Sequence, residues 1–307
     1  MPDDQQPYII DDKTVESKFN RLYEQDKSNS LEDGHRMAIA SSASLHLDPQ
    51  AEIRDIPVNE DERIVIYVCG GGFALSYTPT IKWYCLRISK ELGQRLFIPK
   101  YSVAPKHVFP RAVHDVYVAY THLLAQGFKP CNITVSATSS GGSIAVAALQ
   151  LLNKCRSVMV DRCILISPIV DLTMAQDSWI SNKDNCILYR QQLTDPKCLM
   201  RVYYGDTDVI DPEKLAEIFR YPLLSPLYSS DLSSIPRLQI HVGEHDVLLD
   251  DSRQFAQRVS ETRNCCRPDE THVEIITYPE RNHFSIMRGK TQLDKLYGSM
   301  RRFLDTP

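Results

Sequence analysis

Three observations predict an α/β architecture for this chain, with a mainly parallel sheet covered by helices on both faces. Apolar, β-rich runs alternate with segments of helical periodicity along most of the sequence, the pattern of strand–helix–strand units. Several of those runs end in glycine or other small residues just before a helix-forming stretch. The 307 residues are 43% hydrophobic, enough for one large core, and α/β domains often exceed the usual domain size.

Taken in order, residues 1–61 are polar and mixed, with a helix-like stretch over 14–23. The opening Met1-Pro2-Asp3-Asp4-Gln5-Gln6 is acidic and polar, unlike a secretory leader. Arg63 to Cys69 reads as a continuous apolar strand that runs into Gly70-Gly71-Gly72-Phe73, and a helix-like stretch containing Trp83, Tyr84 and Cys85 follows. A strand over 94–98 and a helix over 110–126 come next. Val113, Val116, Tyr117, Tyr120, Leu123 and Leu124 recur at helical spacing in that helix, which marks a core face. Asn132 to Val135 is a further strand, and Ser143 to Leu149 a helix. Residues 173–221 break the alternation with charged and polar positions plus Trp179, Tyr189 and Met200. Arg237 to Val242 and Val273 to Tyr278 complete the strands.

Three of the junctions carry chemistry. Between a strand and a helix, Ser136-Ala137-Thr138-Ser139-Ser140-Gly141-Gly142 has small residues on both sides of Ser139. A nucleophile elbow needs that, because its central side chain stands clear of a sharp turn. The plain alternative is a glycine-containing turn before a core helix. The three consecutive glycines can bring backbone N–H groups close to a carbonyl oxygen on which charge develops. They do not fit G-x-G-x-x-G, so a dinucleotide site is disfavoured. Finally, Asp246 follows one strand and His283 the next, and ligands bind at the carboxyl ends of strands in open α/β sheets. The chain order serine, acid, histidine is that of α/β-hydrolases.

From about Glu62 to Phe303 the sequence resembles the hormone-sensitive-lipase-like branch of the α/β-hydrolase family, with its microbial and fungal carboxylesterases. Pro99 to Pro110 resembles the family's Y-R-L-A-P-E-x-x-F-P segment. Asp115-Val116-Tyr117, Ser167-Pro168-Ile169-Val170-Asp171-Leu172 and Leu224-Ser225-Pro226-Leu227 fall where the family carries further motifs. The resemblance implies an eight-stranded-type sheet, an N-terminal cap segment over 1–61, and a catalytic domain over 62–307 with a cap insertion at about 173–221. It makes Ser139 the nucleophile, Asp246 the acid and His283 the base, and the N–H groups of Gly71, Gly72 and Ser140 the oxyanion hole. Asp250 and Asp251 are near competitors for the acid role; the family's D-P-x-L-D-D-S pattern favours Asp246, and the later two are read as caps of a helix beginning near Ser252, where carboxylates are favourable. Phe73, Tyr77 and Trp179 are candidates to line the substrate pocket, with Trp83 and Met174 as further apolar candidates. Two positions depart from the family pattern. Cys69 stands where a histidine usually precedes the glycines, and Ala137-Thr138-Ser139-Ser140-Gly141 stands in place of G-D-S-A-G.

The implied activity is hydrolysis of a small or medium ester, an acetylated or a lactone metabolite, through an acyl-enzyme on Ser139 and with no cofactor or metal. Two competing readings stay open: a non-hydrolytic cyclase or lyase of specialised metabolism, which the two departures keep alive, and a binding module, which the retained triad disfavours. A net charge of −4 leaves no electrostatic footprint for nucleic acid. No apolar run approaches the roughly 18 residues of a membrane span. Nine cysteines without C-x-x-C pairs point to reduced thiols and a cytoplasmic protein. The expected partner is a small-molecule ester, and a homodimer is left open.

Overall fold

The computed structural model describes residues 38–40, 61–75, 79–155, 157–188, 190–205, 209–266 and 273–306. The expected helix over 14–23, nearly all of the N-terminal segment 1–61, and Tyr77 lie outside them, as does the side chain of Trp83. The strands are β1 (Ala38–Ala40), β2 (Ile64–Val68), β3 (Arg95–Ile98), β4 (Ile133–Thr138), β5 (Arg162–Ile166), β6 (Arg237–Gly243) and β7 (Val273–Tyr278). They form one sheet in the order β1-β3-β2-β4-β5-β6-β7. Every neighbouring pair is parallel except β1 with β3. The described sheet thus has six parallel strands and one antiparallel edge strand, against the eight-stranded type that the resemblance implied.

Alternation along the inner strands builds two cores, because successive side chains point to opposite faces. Ile64, Ile66 and Val68 of β2, with Cys163 and Leu165 of β5, join one face. Val65, Tyr67 and Cys69, with Ile164 and Ile166, join the other. Both faces are covered, so β2, and β5 after Arg162, read as unbroken apolar runs with no polar side. The helices that follow the strands supply the covers. Helices α1 (Pro79–Leu92) and α8 (Lys290–Asp305) face the second core, through Cys85 and Ile88 and through Leu293, Leu296 and Tyr297. Helices α2 (Arg111–Ala125) and α3 (Ser140–Lys154) face the first. The predicted face of α2 is buried at Val113, Val116, Tyr120 and Leu123, while Tyr117 and Leu124 pack at its margin.

Between β5 and β6 the described residues form three short α-helices, α4 (Ser178–Ser181), α5 (Leu199–Tyr204) and α6 (Pro212–Phe219). The motif segments on either side of this stretch meet. Ser225 Oγ accepts from Leu172 N–H (2.7 Å) and donates to the Phe219 carbonyl (2.5 Å). Leu227 N–H donates to the Val170 carbonyl. Helix α7 (Leu249–Cys266) leads from β6 to β7.

The register aligns the carboxyl ends of the inner strands. Val68 pairs with Ala137, Ile166 with His241, and Gly243 with Tyr278. The glycine loop after β2, the elbow after β4 and the turns after β6 and β7 therefore open on the same edge. His241 lies inside β6, bonded to Tyr278 Oη and Gln239 Oε1. Burial pushes its pKa down to about 3, so it is a neutral part of the core.

Candidate active site

The elbow begins with Ser139 at φ 55°, ψ −128°, between β4 and α3. A non-glycine residue in the left-handed region is strained, and backbone bonds on both sides hold it. Ser139 N–H donates to the Ile166 carbonyl, and the Ser139 carbonyl accepts from Ile169 N–H, both at 3.0 Å. Close approach explains the following glycine. A Cβ on Gly141 would sit 2.3 Å from the Val68 carbonyl oxygen and 2.6 Å from that of Cys69. These are backbone atoms that cannot swing aside, so α3 can start against the end of β2 only with glycine here. Ala137, where the family pattern has glycine, is fully buried in β4 and its methyl is part of the core.

His283 Nε2 lies 3.0 Å from Ser139 Oγ, and its Nδ1 lies 3.2 Å from Asp246 Oδ2. All three residues are buried: Ser139 is 9% exposed, His283 8% and Asp246 0%. Asp246 Oδ1 accepts from Leu248 N–H (3.1 Å), and the Cys186 thiol lies 4.0 Å away. Both ring nitrogens are thus engaged, one toward the carboxylate and one toward the hydroxyl. In this arrangement the imidazole can take the serine's proton while the acid fixes its orientation.

The turns that carry acid and base are fused. Glu244 N–H donates to the Tyr278 carbonyl (2.9 Å) and His245 N–H to that of Arg281 (2.7 Å). A Cβ on Gly243 would lie 2.2 Å from the Arg281 carbonyl oxygen, so the two strand ends can close up only with glycine there. Glu244, His245 and Glu280 bring ligand atoms within 4.8 Å of one another on the outside of these turns. Among the described residues they are the one cluster of three or more His, Cys, Asp or Glu side chains spaced to hold a metal ion, and exposed acidic groups of this kind are common without one.

The segment around α4 is stitched onto the same turns. Asn182 Nδ2 donates to the carbonyls of Glu244 (3.1 Å) and Asp246 (2.8 Å). Asn282 Nδ2 donates to the Asn185 carbonyl (2.7 Å), and Ser178 Oγ to that of Val247 (2.6 Å). Asp250 Oδ2 accepts from Ser178 N–H (2.9 Å), and Asp251 Oδ2 from the Trp179 indole (2.9 Å). The expectation for Asp250 and Asp251 therefore needs refining. Both lie in the first turn of α7, which begins at Leu249 rather than near Ser252, and their carboxylates hold α4.

Burial holds the Asp251 carboxyl well above the usual carboxylate range, and the nearby charges of Asp171 and Asp246 push the same way. A carboxyl with a raised folded pKa keeps its proton in the fold and releases it on unfolding. Its favourable contribution is complete below the ordinary value of 3.8 and is lost as pH rises through the folded pKa. Asp251→Asn keeps an acceptor for the Trp179 indole and removes that titration. The variant's stability relative to the parent should therefore climb above about pH 4, by up to roughly 1.4 kcal/mol per pH unit. Urea denaturation of both proteins at pH 4.5 and 7 measures the difference.

Of the candidate oxyanion donors, the structure treats Gly71 differently from the other two. Gly71 N–H donates to Ser140 Oγ at 3.1 Å. The N–H groups of Gly72 and Ser140 have no acceptor among the described residues. Of the candidate pocket residues, Phe73 and Trp179 are buried, at 1% and 2% exposed. At φ 63°, Phe73 turns its ring under the loop, stacked on Tyr203 at 4.0 Å. Trp179 is drawn inward because a buried indole N–H needs a partner, which Asp251 supplies. Met174 is likewise buried.

The exposed apolar side chains near the site are others. Leu75 follows the glycine loop, Leu199 Cδ1 would lie 3.1 Å from a Cβ on Gly72, and Phe284 meets the His283 ring edge-on at 5.3 Å. Ile187 and Phe284, with Asn282, Ser285 and Arg288, line a cavity of about 300 Å³. None of these stood out in the sequence, because loop residues and the first residue of a six-residue helix carry no periodicity to mark them. The contacts of Asn182 and Asp251 were equally hidden, since their partners lie more than 60 positions away.

A family profile described as alpha/beta hydrolase fold matches residues 65–287. An acetyl-hydrolase of Streptomyces hygroscopicus is 32% identical over 201 residues, covering 66% of this chain and 63% of that protein. An esterase of Acinetobacter venetianus is 28% identical over 199 residues, covering 65% and 62%. The chain thus matches just under two thirds of the length of these relatives. Among solved structures, a hormone-sensitive lipase from a metagenome library superposes with a TM-score of 0.67 at 22% identity, covering 99% of this chain and 92% of that one. At that identity the likeness speaks for the fold.

Proposed function

Because the chain belongs to the alpha/beta hydrolase fold family, we propose that it is a serine hydrolase of carboxylic esters, with Ser139 as nucleophile, His283 as base and Asp246 as acid. The observation that carries this reading is the unbroken line from Asp246 Oδ2 through the His283 ring to Ser139 Oγ, buried at the carboxyl edge of the sheet. The names of the acetyl-hydrolase and esterase relatives support the same class of bond.

In this reading Ser139 attacks the ester carbonyl as His283 takes its proton. Charge moves to the carbonyl oxygen, which the N–H groups of Gly72 and Ser140 receive. The imidazolium, held by Asp246, returns the proton to the leaving alcohol, and water releases the acyl group by the reverse traffic. Leu75, Leu199 and Phe284 give the entrance an apolar rim. That rim, together with the acetyl-hydrolase and esterase names of the relatives, supports a small or medium ester, including acetylated or lactone compounds, over a long-chain triglyceride. The features that kept a non-hydrolytic reaction in view leave the site intact. Ala137 packs without displacing the elbow, and Cys69 is buried in the second core.

The test is labelling with a fluorophosphonate, followed by mapping of the modified residue, alongside hydrolysis of short p-nitrophenyl esters. Modification at Ser139 with turnover is expected. Absence of both would overturn the proposal.

A further inference from the structure

The oxyanion loop must present an N–H group in one direction, yet it is made of residues that least restrict direction. Gly71 stands at φ 152° and Gly72 at φ 59°. Glycine pairs of this kind sample wide regions of backbone space unless something pins them. A donor that must reorient during reaction also loses much of its catalytic value, since that value rests on preorganisation.

The loop is pinned from three sides. Tyr101 Oη donates to the Cys69 carbonyl at 2.7 Å, and Ala104 N–H donates to the Phe73 carbonyl at 3.0 Å. The Phe73 ring stacks on Tyr203. These contacts fix the loop's ends. Inside it, the Gly71 carbonyl, which shares a rigid peptide plane with the Gly72 N–H, accepts from Ala74 N–H (3.2 Å) and Leu75 N–H (3.0 Å), and the two planes on either side are held by a side chain. Gly71 N–H (3.1 Å) and Phe73 N–H (3.2 Å) both donate to the same atom, Ser140 Oγ. Ser140 is completely buried. Two amides flanking Gly72 on either side therefore converge on one oxygen, and among the described residues neither the intervening Gly72 N–H nor the N–H of Ser140 has an acceptor.

We propose that the Ser140 hydroxyl is a positioning group for the reaction: by accepting from Gly71 and Phe73 it aims the Gly72 N–H at the substrate oxygen, while Ser140's own N–H is the second donor. One residue at the start of α3 then supplies one donor through its backbone and orients the other through its side chain. The proposal rests on the ester-hydrolase reading. It also assigns Gly71 a different part from the one implied by resemblance, since its N–H is spent inside the protein.

The experiment uses Ser140→Ala, which keeps the backbone donor, and Ser140→Cys, which keeps nearly the same volume but offers a poor acceptor. With p-nitrophenyl acetate and butyrate, kcat should fall about tenfold to a hundredfold, the scale expected when a catalytic group is misplaced by a fraction of an ångström to an ångström. KM should stay within about twofold. Inhibition by a short alkyl trifluoromethyl ketone, whose adduct carries the oxyanion, should weaken by the same factor as kcat/KM. A hydroxyl serving stability alone would lower Tm and leave both quantities unchanged. Residue-resolved amide exchange on the unaltered protein covers the case in which neither variant folds, and Gly71 and Phe73 should exchange far more slowly than Gly72. The inference is overturned if either folded variant keeps kcat within twofold, if kcat falls with ketone affinity unchanged, or if the Gly71 and Phe73 amides exchange as fast as that of Gly72. Failure of the underlying reading is distinguishable: the unaltered protein would then resist fluorophosphonate and hydrolyse no short ester, whatever the amide exchange shows.

Discussion

Replacing Ser139 with alanine should lower kcat for a short ester by about a millionfold, with the fold unchanged. The size follows from the way a nucleophile and its base act as one unit, so that removing either costs nearly as much as removing both. Among the described residues Ser139 Oγ makes one hydrogen bond, to His283 Nε2, and the strained backbone beneath it is held by bonds to its own N–H and carbonyl. Alanine keeps those backbone bonds, so the loss should be chemical. The measurement is a steady-state assay with an active-site titration to exclude contaminating parent enzyme, plus a thermal melt of both proteins. A variant that retains more than about a hundredth of parental kcat would mean that another group attacks the ester.

Asp246→Asn should cost about four orders of magnitude in kcat, the loss known for this exchange in other Ser-His-Asp enzymes. The carboxylate accepts from His283 at Nδ1 and from Leu248 N–H, and it is fully buried. An asparagine of the same shape can present its amide N–H₂ to Nδ1 and so stabilise the tautomer whose Nε2 carries the proton. That imidazole cannot act as a base toward Ser139. Asp250→Asn is the matched control, because Asp250 is bonded to Ser178 N–H and takes no part in the line to the serine. Comparable kcat losses in the two variants would mean that the acid has been misassigned.

Much of this arrangement was legible because its determinants are local. Ser139 is flanked by small residues that only a tight turn requires, and Asp246 and His283 each follow an apolar run closely. Five of the six parallel strands follow from apolar runs separated by helical periods, since a sheet covered on both faces has no polar side to confuse the pattern; β5 (Arg162–Ile166) is not among the strands expected from the sequence. What stayed hidden depends on distance along the chain. Nothing near Ser140 indicates that its oxygen will meet amides 69 and 67 positions earlier. Likewise, nothing near Trp179 tells a pocket lining from a core residue, because an apolar ring suits both and only the buried Asp251 decides. The family resemblance could not supply these contacts either, as Ser140 and Cys69 are where this chain leaves the family pattern.

The welded ends of β6 and β7 have one more consequence. Acid and histidine ride on a common block, tied through Tyr278 and Arg281, whereas the serine stands on a separate strand, with β5 between. The distance from carboxylate to imidazole is therefore set within a rigid piece. The span from imidazole to hydroxyl crosses the remaining joint, and any breathing of the sheet during turnover is felt there first.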